Sequence, residues 1–211
     1  SVGLESLGDV QRAQGDLDGA KKACVAGLFL KKLRLEMVGE TEEALRDVAR
    51  SSGRLGDVYR AQGDLQRAAE MYSAMLKGCR RLRAMVGDTA DALRDESLSL
   101  ERLGDLKQQS HDFRGSGEAY TESLLLCRRI AALVGRTVLS LEDVAVKLQR
   151  YALVKWQFGR HEEAYSALIE AADLICEVQD RSGKLPRNTR LLEDIRHNVV
   201  TLASEMKNRS K

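Results

Sequence analysis

Residues 54–76 read RLGDVYRAQGDLQRAAEMYSAML, and this stretch decides the fold of the chain. Its apolar residues recur at helical spacing on both sides of Gly63, where a residue without a Cβ atom can end a helix in the left-handed conformation. Asp64 follows and can cap the next helix. Two helices that are joined by so short a turn must pack antiparallel. The stretch therefore predicts a helical hairpin.

The same pattern returns along the chain with a fixed period of 48 residues. One large side chain marks each period, at Leu7, Leu55, Leu103 and Tyr151. A period of this size, held over the whole chain, is typical of a helical repeat array. We expect units at 1–40, 41–88, 89–136 and 137–184, followed by a capping helix at about 187–208. Because the chain starts at Ser1, without a methionine and already inside a unit, we expect it to be a fragment of a larger protein.

Residues 54–76 resemble the core of the tetratricopeptide repeat (TPR). The shared positions are Leu55, Gly56, Tyr59, Gly63, Leu65, Ala68, Tyr72 and Leu76. The usual TPR has about 34 residues, so these units are longer, and they lack the proline that ends it. In this respect they resemble the kinesin-light-chain-like subclass and related bacterial arrays. The resemblance implies a single all-α array, a right-handed α-solenoid of antiparallel helix pairs.

Small residues occupy one slot of the first helix in each unit, at Gly8, Gly56, Gly104 and Ala152. A glycine within a helix costs about 1 kcal/mol relative to alanine. Its return at a fixed slot predicts that two helix axes approach closely there.

Composition and motifs argue against chemistry within the chain. The net charge of +2 gives no global basic field that would attract nucleic acid, and no apolar run approaches the ~20 residues that span a bilayer. The only histidines, His111, His161 and His197, form no metal-binding or cysteine–histidine motif, and no phosphate-binding glycine loop is present. We therefore expect no enzymatic activity, no cofactor and no metal, and neither nucleic acid nor a membrane as partner.

The four cysteines lie far apart in the sequence and form no CxxC pair. Cys79 and Cys127 occupy the same slot of consecutive units, so a disulfide between them is geometrically conceivable. Buried, reduced thiols are the expected state. This favours a reducing, cytoplasmic setting.

The TPR resemblance implies a binding groove on the concave face, lined by the first helix of each unit. Helical spacing within those helices selects the candidate groove residues Asp9, Arg12, Arg54, Asp57, Arg60, Glu101, Arg102, Asp105, Gln108, Gln149, Arg150 and Trp156. Two alternatives stay open: the aspartates could instead tie neighbouring units together, and Trp156 could be a core residue. Aspartate stands where the chaperone-binding TPR subclass has asparagine, which disfavours recognition of a C-terminal carboxylate.

A second, basic row comes level with aspartates of the following helix when the helices pack antiparallel. The spacing predicts the ion pairs Lys32–Asp47, Arg80–Asp95 and Arg128–Asp143. Each is expected to contribute less than ~1 kcal/mol where it is exposed.

These observations favour a protein–protein interaction scaffold that binds a peptide or a helical segment of a partner in its concave groove. One alternative is a regulatory or sensor region of a larger bacterial signalling or defence enzyme. Another is a homo-oligomerisation module that self-associates through its N-terminal unit.

Overall fold

A computed structural model describes residues 2–209, and all regular secondary structure within them is α-helical. Ser1, the first residue of the first expected unit, lies outside the described residues. In chain order the described helices are α1 (Val2–Ala13), α2 (Leu17–Val38), α3 (Glu42–Ala61), α4 (Leu65–Val86), α5 (Ala90–Gln109), α6 (Phe113–Val134), α7 (Val138–Gln157), α8 (His161–Ser182) and α9 (Pro186–Arg209).

Helix length alternates with the repeat. The helices α3, α5 and α7 have 20 residues each, and α4, α6 and α8 have 22. The chain divides into two compact units, the first ending at His111 and the second beginning at Asp112. The first contains α1 to α5 and the second α6 to α9, so the division falls inside the third expected repeat. The proposed division into four repeats stays a prediction.

The turns are built as the sequence predicts. The hydroxyl oxygen of Thr41 accepts a 3.2 Å hydrogen bond from the backbone N–H of Ala44 at the start of α3, and Asp64 caps α4 in the same way. The other side-chain caps of this kind are Asp16, Thr89, Asp112 and Thr137. Gly63 has a φ of +79°, and His111, which replaces the glycine of the equivalent turn, has a φ of 61°.

The small-residue slot of the first unit is a close contact between helices. A Cβ atom added to Gly56 on α3 would lie 2.6 Å from Cε1 of Tyr72, a fully buried side chain on α4. At Gly8 on α1 it would lie 3.0 Å from Sγ of Cys24 on α2. No carbon atom approaches another that closely, so the predicted approach of the helix axes is confirmed at both positions.

In the second unit α9 covers the last helix pair. Its residues Leu192, Ile195 and Leu202 are buried in one apolar cluster with Leu168 and Ile175 of α8. This is the arrangement that a capping helix requires.

All four cysteines are free thiols, and Cys24, Cys79 and Cys127 are buried. Burial raises the pKa of the Cys79 thiol to about 11. Among the helices described between residues 2 and 209, none combines the length and apolar character that a bilayer crossing needs.

Candidate interaction surfaces

Asp57, a predicted groove residue, joins three helices of the first unit. The hydroxyl of Tyr72 on α4 donates a 2.7 Å hydrogen bond to one oxygen of the Asp57 carboxylate. Nη2 of Arg102 on α5 lies 3.1 Å from the other oxygen, and the Asp57 side chain is only 12% exposed. Burial, and then the bond to Asp57, raise the pKa of Tyr72. For Asp57 this geometry supports the alternative in which the aspartate ties neighbouring units together.

The same relationship occurs one repeat earlier, but there it is looser. Arg54 on α3 lies 3.8 Å from the Asp9 carboxylate of α1, and Arg12 lies 3.9 Å from it. Asp9 is 44% exposed, so water screens both contacts. Asp9 therefore retains freedom to meet a ligand that Asp57 does not have.

The remaining predicted groove residues of the first unit differ in accessibility. Arg12 is exposed on α1, and Arg60 is half-buried on α3. Glu101, Asp105 and Gln108 are half-buried on α5. Their assignment to a binding groove stays a prediction.

In the second unit the predicted groove residues lie on α7. Nη1 of Arg150 donates to the hydroxyl oxygen of Tyr120 at 3.5 Å, and its guanidinium carbon lies 5.7 Å from the centroid of that ring. Nε1 of Trp156 donates a 2.7 Å hydrogen bond to Glu205 on α9, and the indole packs against the core. The structure thus supports the core alternative for Trp156. Gln149 is half-buried beside Arg150.

The predicted pairing of the basic row is wrong. Asp47 pairs with Lys31 at 3.7 Å and with Arg34 at 3.4 Å, while Lys32 is exposed. Successive residues of a helix point about 100° apart, because 3.6 residues complete a turn. Lys31, one residue earlier than the predicted partner, therefore faces α3.

The other two predicted pairs are displaced in a similar way. Arg80 pairs with the fully buried Glu96 at 3.2 Å, while Arg46 takes Asp95 at 2.9 Å. Arg128 pairs with Glu170 on α8 at 2.7 Å. The residues that face each other depend on helix rotation, which the repeat period does not determine.

A cleft of about 650 Å³ between α6 and α7 was not predicted from the sequence. Leu125 and Phe158 line it with 60% and 52% of their surface exposed, and Tyr151 and Val154 contribute further apolar surface. Gly117 on α6 adds no side chain, and a Cβ atom there would lie 2.9 Å from Cγ1 of Val154. The charged residues of its rim are Arg114, Glu118, Glu122, Lys155 and Arg160. The small residues of the stretch Gly115–Gly117 are the signal that could have indicated it.

No protein-family model matches the sequence, and no curated protein does. Among solved structures, BtubC (BKLC) from P. vanneervenii aligns with a TM-score of 0.62 at 16% identity, over 97% of this chain and 80% of that chain. The fold is that of TPR-like helical repeats. The nearly identical TPR-like repeats of a kinesin light chain-like protein from Podosopora anserina give a TM-score of 0.60 at 14% identity, over 97% of this chain and 95% of that chain. The predicted resemblance and the all-α repeat solenoid are confirmed. At these identities the likeness concerns the fold alone.

Proposed function

We propose that this chain is a non-catalytic protein-interaction scaffold that binds a peptide or a helical segment of a partner protein. The TPR-like fold supports this proposal. The observation that carries it is the cleft between α6 and α7, because its chemistry suits an apolar side chain that projects from a partner.

The cleft combines the two properties of a peptide-anchoring pocket. Its volume lies within the range of about 300–1,000 Å³ that is usual for ligand sites, and Leu125 and Phe158 present apolar surface to the solvent. Covering that surface with an aliphatic or aromatic side chain releases water, and energetic anchors of this kind dominate many interfaces. Charges of both signs surround it, so flanking charges of the partner would decide specificity more than affinity.

The predicted groove row would be a second contact surface of the same scaffold. Because Asp57 is held by Tyr72 and Arg102, contacts to a partner would come from the more accessible Arg12 and Arg60. The free thiols suit a reducing compartment, and we propose the cytoplasm as the location.

Selection of a phage-displayed random peptide library on the immobilised protein tests the proposal. Enriched peptides are expected to share one aliphatic or aromatic residue, and their Kd is expected to rise at least about tenfold in Phe158→Glu or Leu125→Glu. The matched control is Leu139→Glu, which charges a leucine that is 70% exposed on α7 and does not line the cleft. This variant should bind the peptides as wild type does.

Two results would count against the proposal. If no peptide is enriched over an unrelated helical protein, the scaffold function itself is contradicted. If peptides bind Phe158→Glu as tightly as wild type, while circular dichroism shows an intact fold, the cleft is not their site. The double variant Arg12→Glu/Arg60→Glu then shows whether the groove row holds them.

A further inference from the structure

The helix α2 presents a stripe of apolar side chains to the solvent. Val25, Phe29, Leu33 and Met37 follow one another at intervals of four residues, which places them on one side of the helix. Their exposed fractions are 45%, 65%, 42% and 78%. A continuous run of large, exposed apolar side chains is typical of an interaction site, whereas single ones need no explanation. We call these four residues the α2 stripe.

Packing between neighbouring repeats does not account for the α2 stripe. The equivalent slots of α4, 48 residues later, hold Ser73, Lys77, Arg81 and Met85. All four are exposed, although α3 and α5 pack against α4 on either side. The equivalent slots of α8 hold Ile169, Asp173, Glu177 and Arg181. The fold therefore leaves these slots at the surface, and polar residues can fill them.

The helix α6 shows what an apolar residue in such a slot can do. It carries Leu125 in the slot of Phe29, and Leu125 lines the cleft described above. In α2 all four slots are apolar, so the stripe offers a longer surface than that cleft residue.

Charges at the two ends of the α2 stripe are opposite in sign. Lys22 is exposed just before Val25, and Glu36 is exposed beside Met37. A second α2 helix that runs antiparallel across the first brings the basic end of each copy to the acidic end of the other. In the register that sets Phe29 against Leu33 of the second copy, Val25 meets Met37, and Lys22 lies within a turn of Glu36. The surface is thus complementary to itself.

We propose that the α2 stripe binds a second copy of this chain, with the two α2 helices antiparallel about a twofold axis. An isologous contact of this kind closes on itself and makes a dimer without further growth. The antiparallel arrangement also sets the positive end of each helix dipole near the negative end of the other. Two copies of four such side chains bury on the order of 800 Å² in total, below the about 1,200 Å² of standard interfaces. The dimer is therefore weak and forms only at high protein concentration.

Sedimentation velocity of the wild-type chain over about a hundredfold range of concentration tests this dimer. The weight-average sedimentation coefficient is expected to rise from that of a monomer toward that of a dimer. Phe29→Glu should hold the chain monomeric across the range. The matched control, Leu139→Glu, charges an equally exposed leucine of the second unit and should dimerise as wild type does.

A charge exchange separates the proposed register from a general loss of apolar surface. Lys22→Glu should raise the dimer Kd by at least about threefold, since each copy loses one attraction across the interface. Lys22→Glu combined with Glu36→Lys restores opposite charges at both ends and should recover the wild-type Kd. Failure of the double variant to recover would overturn the antiparallel register.

Two outcomes would overturn the dimer itself. The first is a wild-type chain that remains monomeric at the highest concentration. The second is a monomer that floats with phosphatidylserine-containing vesicles through Phe29, which would assign the stripe to a membrane surface. The α2 stripe and the cleft involve different residues. Loss of peptide binding in Phe158→Glu with dimerisation unchanged, or the reverse in Phe29→Glu, therefore separates this inference from the proposed function.

Discussion

The carboxylate of Asp57 lies 3.1 Å from the guanidinium of Arg102, and this ion pair joins the first helices of two neighbouring repeats. Its partners lie on α3 and α5, while Tyr72 approaches the same carboxylate from α4. A charge that is only 12% exposed depends on such partners, because water no longer solvates it fully. The pair therefore bears on the stability of the first unit.

Arg102→Met should lower the free energy of unfolding by about 1–3 kcal/mol, because it retains the aliphatic stem but leaves Asp57 without its cation. The control Arg94→Met removes an exposed pair with Asp91 on the same helix and should change stability by less than about 0.5 kcal/mol. Urea unfolding followed by circular dichroism measures both. Equal effects of the two substitutions would show that the inter-repeat pair contributes nothing special.

Gly56→Ala should destabilise the chain, although alanine is the better helix former. The new methyl carbon would lie 2.6 Å from the Tyr72 ring, and relief of such overpacking typically costs about 1–3 kcal/mol. Gly3→Ala on α1, where no atom lies within 4 Å of the added Cβ, should be neutral or stabilising by up to about 1 kcal/mol. Thermal unfolding of both variants decides the point, and a stable Gly56→Ala would contradict the close helix contact.

His111→Gly should stabilise the chain by about 0.5–1 kcal/mol, because the backbone there has a positive φ of 61° that glycine adopts without a steric penalty. The converse change, Gly63→Ala at a φ of +79°, should destabilise it by about 1 kcal/mol. Both are measured by urea unfolding. A shift of the same sign in the two variants is incompatible with backbone strain as the cause.

The buried Cys79 thiol should make the folded state more stable at neutral than at alkaline pH. Burial raises its pKa from 9.0 to about 11. The unfolded chain therefore loses this proton near pH 9 while the folded chain retains it. The contribution is fully present below about pH 9 and is lost as the pH rises toward 11, by up to about 2 kcal/mol. The difference in unfolding free energy between wild type and Cys79→Ala should shrink across that interval, and a constant difference would contradict the prediction.

Local features of the fold could be predicted from the sequence because they depend on a few adjacent residues. The caps at Thr41 and Asp64 need one side chain and the backbone N–H three residues later. The Gly56 contact could be predicted because a glycine in mid-helix is costly and recurs at a fixed slot.

The surfaces could be predicted only in part. The pairing of Asp47 with Lys31 rather than Lys32 depends on a rotation of one helix by about 100°, which no period of 48 residues determines. The contact of Trp156 with Glu205 joins positions 49 residues apart, and the cleft beside Gly117 depends on how α6 meets α7. Such features arise from packing between helices, and the sequence pattern records them weakly.

The hydrogen bond from Trp156 to Glu205 also has a spectroscopic consequence. Trp156 is the only tryptophan of the chain, so all emission excited at wavelengths that tyrosine does not absorb comes from one indole between α7 and α9. Release of the last helix would expose that indole to water and shift its emission to longer wavelength. The protein thus carries an intrinsic optical probe of its C-terminal helix, and docking of α9 can be timed without a label.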